Sequence, residues 1–280
     1  MTASQTVLLG AIAGSTIYLG LPMGRMRTSS VRLKIFLSGL SAGILVFLLV
    51  EIFEHAFSSV ETALRAAQHG HGTWGAVAGL GGLYAAGILL GMMGLYYVLK
   101  RRQSRPVQRA SIGPGAMATA ELAPQHLQRR QALDLAMSIA IAIGLHNFSE
   151  GLAIGQSAAK GETTLALLLV IGFALHNATE GFGIVGPLAG ANVVASWKWI
   201  GLAGLVGGGP TFVGTLIGRS IQSDYLFTGF LALAGGAVLF VVAELFAAGR
   251  KTDWHSMLWG TGVGILAGAA TELILVAAGR

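Results

Sequence analysis

Apolar runs of about twenty residues, separated by short polar breaks, fill almost the whole chain. Eight are legible, at roughly 5–22, 33–58, 74–99, 132–157, 163–186, 198–218, 225–248 and 254–278. About 20 helical residues cross the ~30 Å hydrocarbon core of a bilayer, and a helix satisfies its own backbone there. The pattern therefore predicts an all-α polytopic membrane protein with eight transmembrane helices in a single domain. Glycine recurs four residues apart within the runs, at Gly10/Gly14, Gly39/Gly43, Gly87/Gly91, Gly204/Gly208, Gly214/Gly218 and along Gly260, Gly264 and Gly268. Such stripes let helix backbones approach closely in lipid. Gly207-Gly208-Gly209-Pro210 is a different signal. Three glycines before a proline predict a kink or opening in the sixth span, and interrupted membrane helices line cavities.

The polar breaks set the orientation. With the N-terminus outside, fourteen of the 18 Lys and Arg residues fall on inner connections or inner span ends; only Arg65, Lys160, Arg219 and Arg280 fall outside. The positive-inside rule then puts both termini on the extracytoplasmic face. Residues 100–131, rich in Arg, Gln, Ser, Pro and Gly, read as a flexible basic cytoplasmic loop lying near anionic lipid. The outer break at 59–73 carries His69-Gly70-His71, read as solvated rather than as a metal collector. Met1–Thr6 lacks Lys and Arg, so the first span reads as retained rather than as a cleaved signal.

Composition changes the picture little. The chain is 54% apolar and 11% charged, where soluble domains carry about 25% charged residues. The net charge of +6 resides at span ends, so it is no argument for nucleic acid. Without cysteine, disulfides and thiolate metal sites are excluded, and without a GxxxxGK[ST] motif there is no sign of ATP-driven work.

The chemistry lies in two near copies of one segment, His146-Asn147-Phe148-Ser149-Glu150-Gly151 and His176-Asn177-Ala178-Thr179-Glu180-Gly181. Positions i and i+4 share a helix face, so each copy presents an imidazole and a carboxylate together. His146, Glu150, His176 and Glu180 form a donor set suited to Zn²⁺ and also to Fe²⁺, Mn²⁺, Co²⁺ or Cd²⁺. All four stand near mid-membrane, where ionisable groups are costly and mark function. The two spans run antiparallel, which is the placement of a substrate site in an inverted-repeat transporter. The competing reading, polar side chains that merely bind helices together, suits one His-Glu pair better than two copies at matched depth. With straight helices and these boundaries, Glu150 and Glu180 differ in depth by about 15 Å. A single shell then needs bent helices or shifted boundaries, and otherwise the residues form a ladder of two sites. Asn147 and Asn177 either serve an adjoining site or hydrogen-bond the carboxylates. The hydroxyls of Ser149 and Thr179 are expected to bond backbone carbonyls where the helices bend.

The twin motif resembles the ZIP (Zrt/Irt-like) metal transporters, whose fourth and fifth helices carry His-Asn-x-Pro-Glu-Gly-type signatures. The resemblance covers the whole chain and implies a 3+2+3 inverted-repeat bundle around a central metal-holding pair. It implies His146, Glu150, His176 and Glu180 as primary ligands, Asn147 and Asn177 as members of an adjacent site, and metal movement into the cytoplasm across the plasma membrane. Two positions depart from the family: Ser149 and Thr179 replace the motif proline, and the sixth span offers Thr211 and Thr215 where many members have a glutamate. The expectation is a mononuclear site or one with a weak second position.

Glu51, Glu54 and His55 near the outer end of span two are candidates for an approach path. Asp134, Glu244, Asp253 and His255 are looser candidates for an exit, and Glu272 has no evident partner. The function expected is transport of a divalent cation by alternating access, with no enzyme cofactor; the metal is substrate. The partners expected are the ion, the bilayer and, as a candidate, a second copy of the chain. A metal-dependent intramembrane hydrolase and a passive metal channel are the alternatives. The absence of HExxH weighs against the hydrolase, and saturation and counterflow would separate carrier from channel.

Overall fold

Helix ends fall where the sequence supplies caps. The computed structural model describes residues 2–26, 30–103, 116–161 and 163–277; of these, only the backbone is described at 102, 103, 116–125, 163–165, 168, 169, 175, 176, 190, 274 and 275. Among the described residues it is all-helical. The helices are α1 (Ala3–Ser15), α2 (Val31–Gln68), α3 (Trp74–Gln103), α4 (Ala116–Ala159), α5 (Thr163–Gly190), α6 (Trp197–Ser220), α7 (Asp224–Arg250) and α8 (Trp254–Ala277). Side chains of Thr2, Ser30, Ser196 and Ser223 accept from the third N–H beyond them. Thr73 and Asp253 do the same for α3 and α8. Such caps satisfy donors that a helix start leaves open. Among the described residues, six helical stretches are long and apolar enough to cross a membrane, and α4 is the most buried of them.

Three elements differ from the sequence pattern. The first run is α-helical only to Ser15 and continues as two 3-10 turns, Thr16–Leu19 and Leu21–Arg25. The tighter winding brings Gly20 so close to α5 that a Cβ there would stand 2.2 Å from the Ala178 carbonyl oxygen. α2 is 38 residues long, so the expected outer loop 59–73 shrinks to a short turn. Its added turns are rich in Ala, Glu, Leu and Arg, good helix formers, and carry a Glu61–Arg65 ion pair. The loop expected over 100–131 is helical at both ends, because α3 reaches Gln103 and α4 begins at Ala116; residues 104–115 lie outside the described residues. The helical part from 116 is again Ala-, Gln-, Leu- and Arg-rich.

The glycine stripes bring backbones into contact. Gly39 and Gly43 of α2 meet Met257 and Thr261 of α8, and Gly260 and Gly264 return the contact against Phe36 and Leu40. Gly91 of α3 and Gly236 of α7 face each other's helix in the same way. α4 lies on α6 through Gly144, Gly151 and Gly155 on one side and Gly214 and Gly218 on the other. The packing is paired throughout: α2 on α8 and α3 on α7, α4 on α6 and α5 on α1, α2 on α5 and α7 on α4. α4 and α5 pack on each other at the centre.

Candidate metal site

Pro187 and Pro210, inside α5 and α6, each leave a carbonyl without its usual donor, and in each case a neighbouring helix occupies the gap. Pro187 of α5 cannot donate to Gly183, and the Ser41 hydroxyl of α2 donates to that oxygen. Pro210 of α6 cannot donate to Val206, whose oxygen lies where a Cβ on Gly144 of α4 would be. One residue on, the Gly207 carbonyl accepts 3.0 Å from Asn147 Nδ2. α6 is thus not opened at Gly207-Gly208-Gly209-Pro210; it remains helical and turns its carbonyls toward α4.

The same Asn147 amide donates to Glu180 Oε2 at 3.0 Å. This bond sets the register of α4 against α5 and brings Glu180 level with the first copy of the motif. His146 Nε2 then lies 3.4 Å from Glu150 Oε1 and 4.0 Å from Glu180 Oε1. Both carboxylates thus face one imidazole. α5 continues through Pro187 to Gly190, four residues past the expected end, which removes about 6 Å of the expected 15 Å offset; the side chains of Asn147, His146 and Glu180 reach across the rest.

All these groups are buried. Asn147, Asn177 and Glu180 are fully enclosed, and His146 and Glu150 are 8% and 6% exposed. His176 lies on α5, four residues before Glu180, but its side chain is outside those described. Zn–N and Zn–O bonds of ~2.0–2.2 Å place neighbouring donors of a tetrahedron roughly 3.3–3.5 Å apart. The His146–Glu150 pair has that spacing, and the His146–Glu180 pair is wider by about half an ångström. Accordingly, no three His, Asp or Glu side chains among the described residues are gathered tightly enough to hold a metal ion as they stand.

Asn177 does not touch a carboxylate. Its amide donates 2.9 Å to the Ala13 carbonyl at the end of α1, which also accepts from the Thr16 N–H and hydroxyl. The Oδ1 atoms of Asn147 and Asn177 are buried and accept no hydrogen bond, and the Thr211 hydroxyl on α6 is likewise buried without one. The Ser149 hydroxyl, expected to bond a carbonyl, makes no hydrogen bond; the carbonyls freed near the site lie about one turn before Pro187 and Pro210. The roles of Asn147, Ser41 and Ala13 in positioning the site escaped the sequence reading. For Ser41 and Asn147 the available signal was a proline four or three residues beyond the accepting carbonyl; for Ala13 there was none.

The outer candidates separate. Glu54 and His55 are exposed, and His55 Nδ1 lies 2.9 Å from the Glu51 carbonyl oxygen. Glu51 is half-buried. Gly268 of α8 meets Phe47 of α2, and one turn further along both helices stand Glu272 and Glu51. Glu272 is not isolated, contrary to expectation. The exit candidates do not gather either. Glu244 lines a cavity of about 470 Å³ among α2, α4, α5 and α7, with Ser38, Gln128 and Gln131. Asp134 faces Arg130 at 3.8 Å, His255 stacks edge-on against Trp259, and Asp253 caps α8. The Ser256 amide and hydroxyl hold the Asp253 carboxyl below its ordinary value.

The family model for ZIP zinc transporters matches residues 100–275, which include both motif copies. No curated protein matches the chain.

Proposed function

Because the chain belongs to the ZIP zinc transporter family, and is therefore a multi-pass membrane protein of divalent-metal transport rather than an enzyme, we propose that it moves Zn²⁺ into the cytoplasm by alternating access. His146, Glu150, His176 and Glu180 would bind the ion, with Asn147 and Asn177 beside them. The observation that carries this reading is the convergence of Glu150 and Glu180, from antiparallel helices, on His146 Nε2 at 3.4 and 4.0 Å. Two carboxylates neutralise a divalent charge in hydrocarbon, and imidazole with carboxylate suits Zn²⁺ among the divalent metals.

Access follows from burial. Toward the basic side of the protein, Ile143 and Ile184 stand one turn from His146 and Glu180, with Ile139 and Leu188 a turn beyond, all essentially inaccessible. This apolar plug separates the site from the cavity lined by Glu244. Glu51, level with Glu272, would receive the ion from the other side. The paired packing of α1–α3 and α6–α8 around α4 and α5 supports a 3+2+3 inverted repeat, in which the central pair shifts against its neighbours to move the plug. Protons compete with metal for these ligands, so release is favoured where the site is more acidic. We place the protein in the plasma membrane with both termini outside.

The test is uptake of radioactive zinc by vesicles carrying wild type, His176→Ala or Glu180→Ala. Each variant should lose most of the saturable uptake. Undiminished uptake in both sinks the site assignment, and linear, non-saturating flux without counterflow replaces the carrier by a channel.

A further inference from the structure

On the basic side, a pocket of about 570 Å³ opens between α4 and the first turns of α6. His126, Arg129 and Arg130 line it on one side and Trp199 on the other, with Asp134 as the acid among them. Arg130 Nε faces Asp134 at 3.8 Å. Arg129 and His126 are exposed and form no ion pair among the described residues, so the pocket keeps a surplus of positive charge. Its deep end is formed by Ile141 and Val206, which also line a groove of about 760 Å³ among α1, α4, α6 and α7. That groove is apolar and runs past Leu145, Phe148, Pro210 and Val213. It lies on the face of α4 opposite His146 and Glu150, since residues 141, 145 and 148 are turned away from 146 and 150 at 100° per residue.

We propose that pocket and groove together hold one anionic phospholipid, its phosphate at Arg129 and Arg130 and one acyl chain along the groove. A cationic pocket between membrane helices on the basic side suits an acidic headgroup, and Trp199 has the amphipathic ring that sits at headgroup level. A soluble phosphate would leave the groove unused, and a zwitterionic lipid would bring its own cation to a pocket already in positive surplus. The two-part shape selects an amphiphile with net negative charge. This assignment does not depend on which residues carry the metal.

Native mass spectrometry of the full chain in detergent, with equal phosphatidylglycerol and phosphatidylcholine, tests it. Wild type should retain one phosphatidylglycerol with a preference of about tenfold or more, as two cations at one headgroup imply. Arg129→Gln/Arg130→Gln should abolish the preference; if that protein is unstable, Arg129→Gln alone, at an exposed position, should weaken it. Val213→Trp, which fills the groove, should lose the lipid with both arginines in place. Lys100→Gln/Arg101→Gln removes the same charge away from the pocket and should keep the preference. The proposal is overturned if wild type holds both lipids equally, or if the Lys100/Arg101 variant loses the preference as fully as the pocket variant. It is also overturned if glycerol 3-phosphate displaces the lipid as well as a diacyl phosphatidylglycerol does, which would leave an anion site without a chain.

Discussion

Gly151, the last residue of the first motif copy, is where packing and chemistry meet, and Gly151→Ala tests their connection. A Cβ at this position would stand 2.1 Å from the Thr211 carbonyl oxygen and 2.8 Å from the Thr215 nitrogen. Both are backbone atoms of α6, so no side chain can swing aside. Reaching an ordinary contact requires α4 and α6 to part by about 1 Å, the kind of overpacking that costs ~1–3 kcal/mol. The same movement stretches the 3.0 Å bond from Asn147 to Gly207 beyond hydrogen-bond reach, at a further ~1 kcal/mol. Alanine returns ~1 kcal/mol through its helix propensity. The net loss is then roughly 1–3 kcal/mol, a fall of about 3–10 °C in the melting temperature for a chain of this size. Gly201→Ala, on α6 with nothing within 4 Å of its Cβ, is the control and should melt at or above wild type. Thermal unfolding of both variants in detergent, with zinc uptake at matched expression, gives the comparison. Because Asn147 also holds Glu180, uptake by Gly151→Ala should fall more than its stability alone explains. If Gly151→Ala melts with the control and transports normally, the helices are not held at the distance argued here.

Ser41 and Pro187 should be energetically coupled. Ser41→Ala strips the Gly183 carbonyl of the hydroxyl that replaces its missing donor and should cost ~1–2 kcal/mol, but much less in a Pro187→Ala background, where residue 187 regains an N–H. A double-mutant cycle by chemical or thermal unfolding should give a coupling of about 1 kcal/mol, and additive losses would refute the pairing. At Asp253 the sign of the pH dependence is set by a depressed carboxyl. Its contribution is fully present above the ordinary value near 3.8 and is lost as pH falls through the lower folded-state value. The stability gap between wild type and Asp253→Asn should therefore be constant from pH 7 to about 4 and close below it. A gap that widens on acidification would contradict the hydrogen bonds from Ser256.

Much of this protein was legible in one dimension because its determinants are local. A bilayer imposes a length on each apolar run, Ser, Thr and Asp mark where helices begin, and a repeated His-Asn-x-x-Glu-Gly identifies its own chemistry. The glycine stripes were visible too, but not their partners: Gly260 and Gly264 could have faced any neighbour and face α2. Only the tertiary structure brings Glu150 and Glu180 to the same imidazole. Depth in a membrane depends on where a helix ends, and an error of a few residues at each of two antiparallel ends adds up to several ångströms. Only contact between helices sets that register. Asn147, reaching Glu180 in one direction and a carbonyl near Pro210 in the other, is the contact that does so, and a single strand of sequence contains neither of its partners' positions.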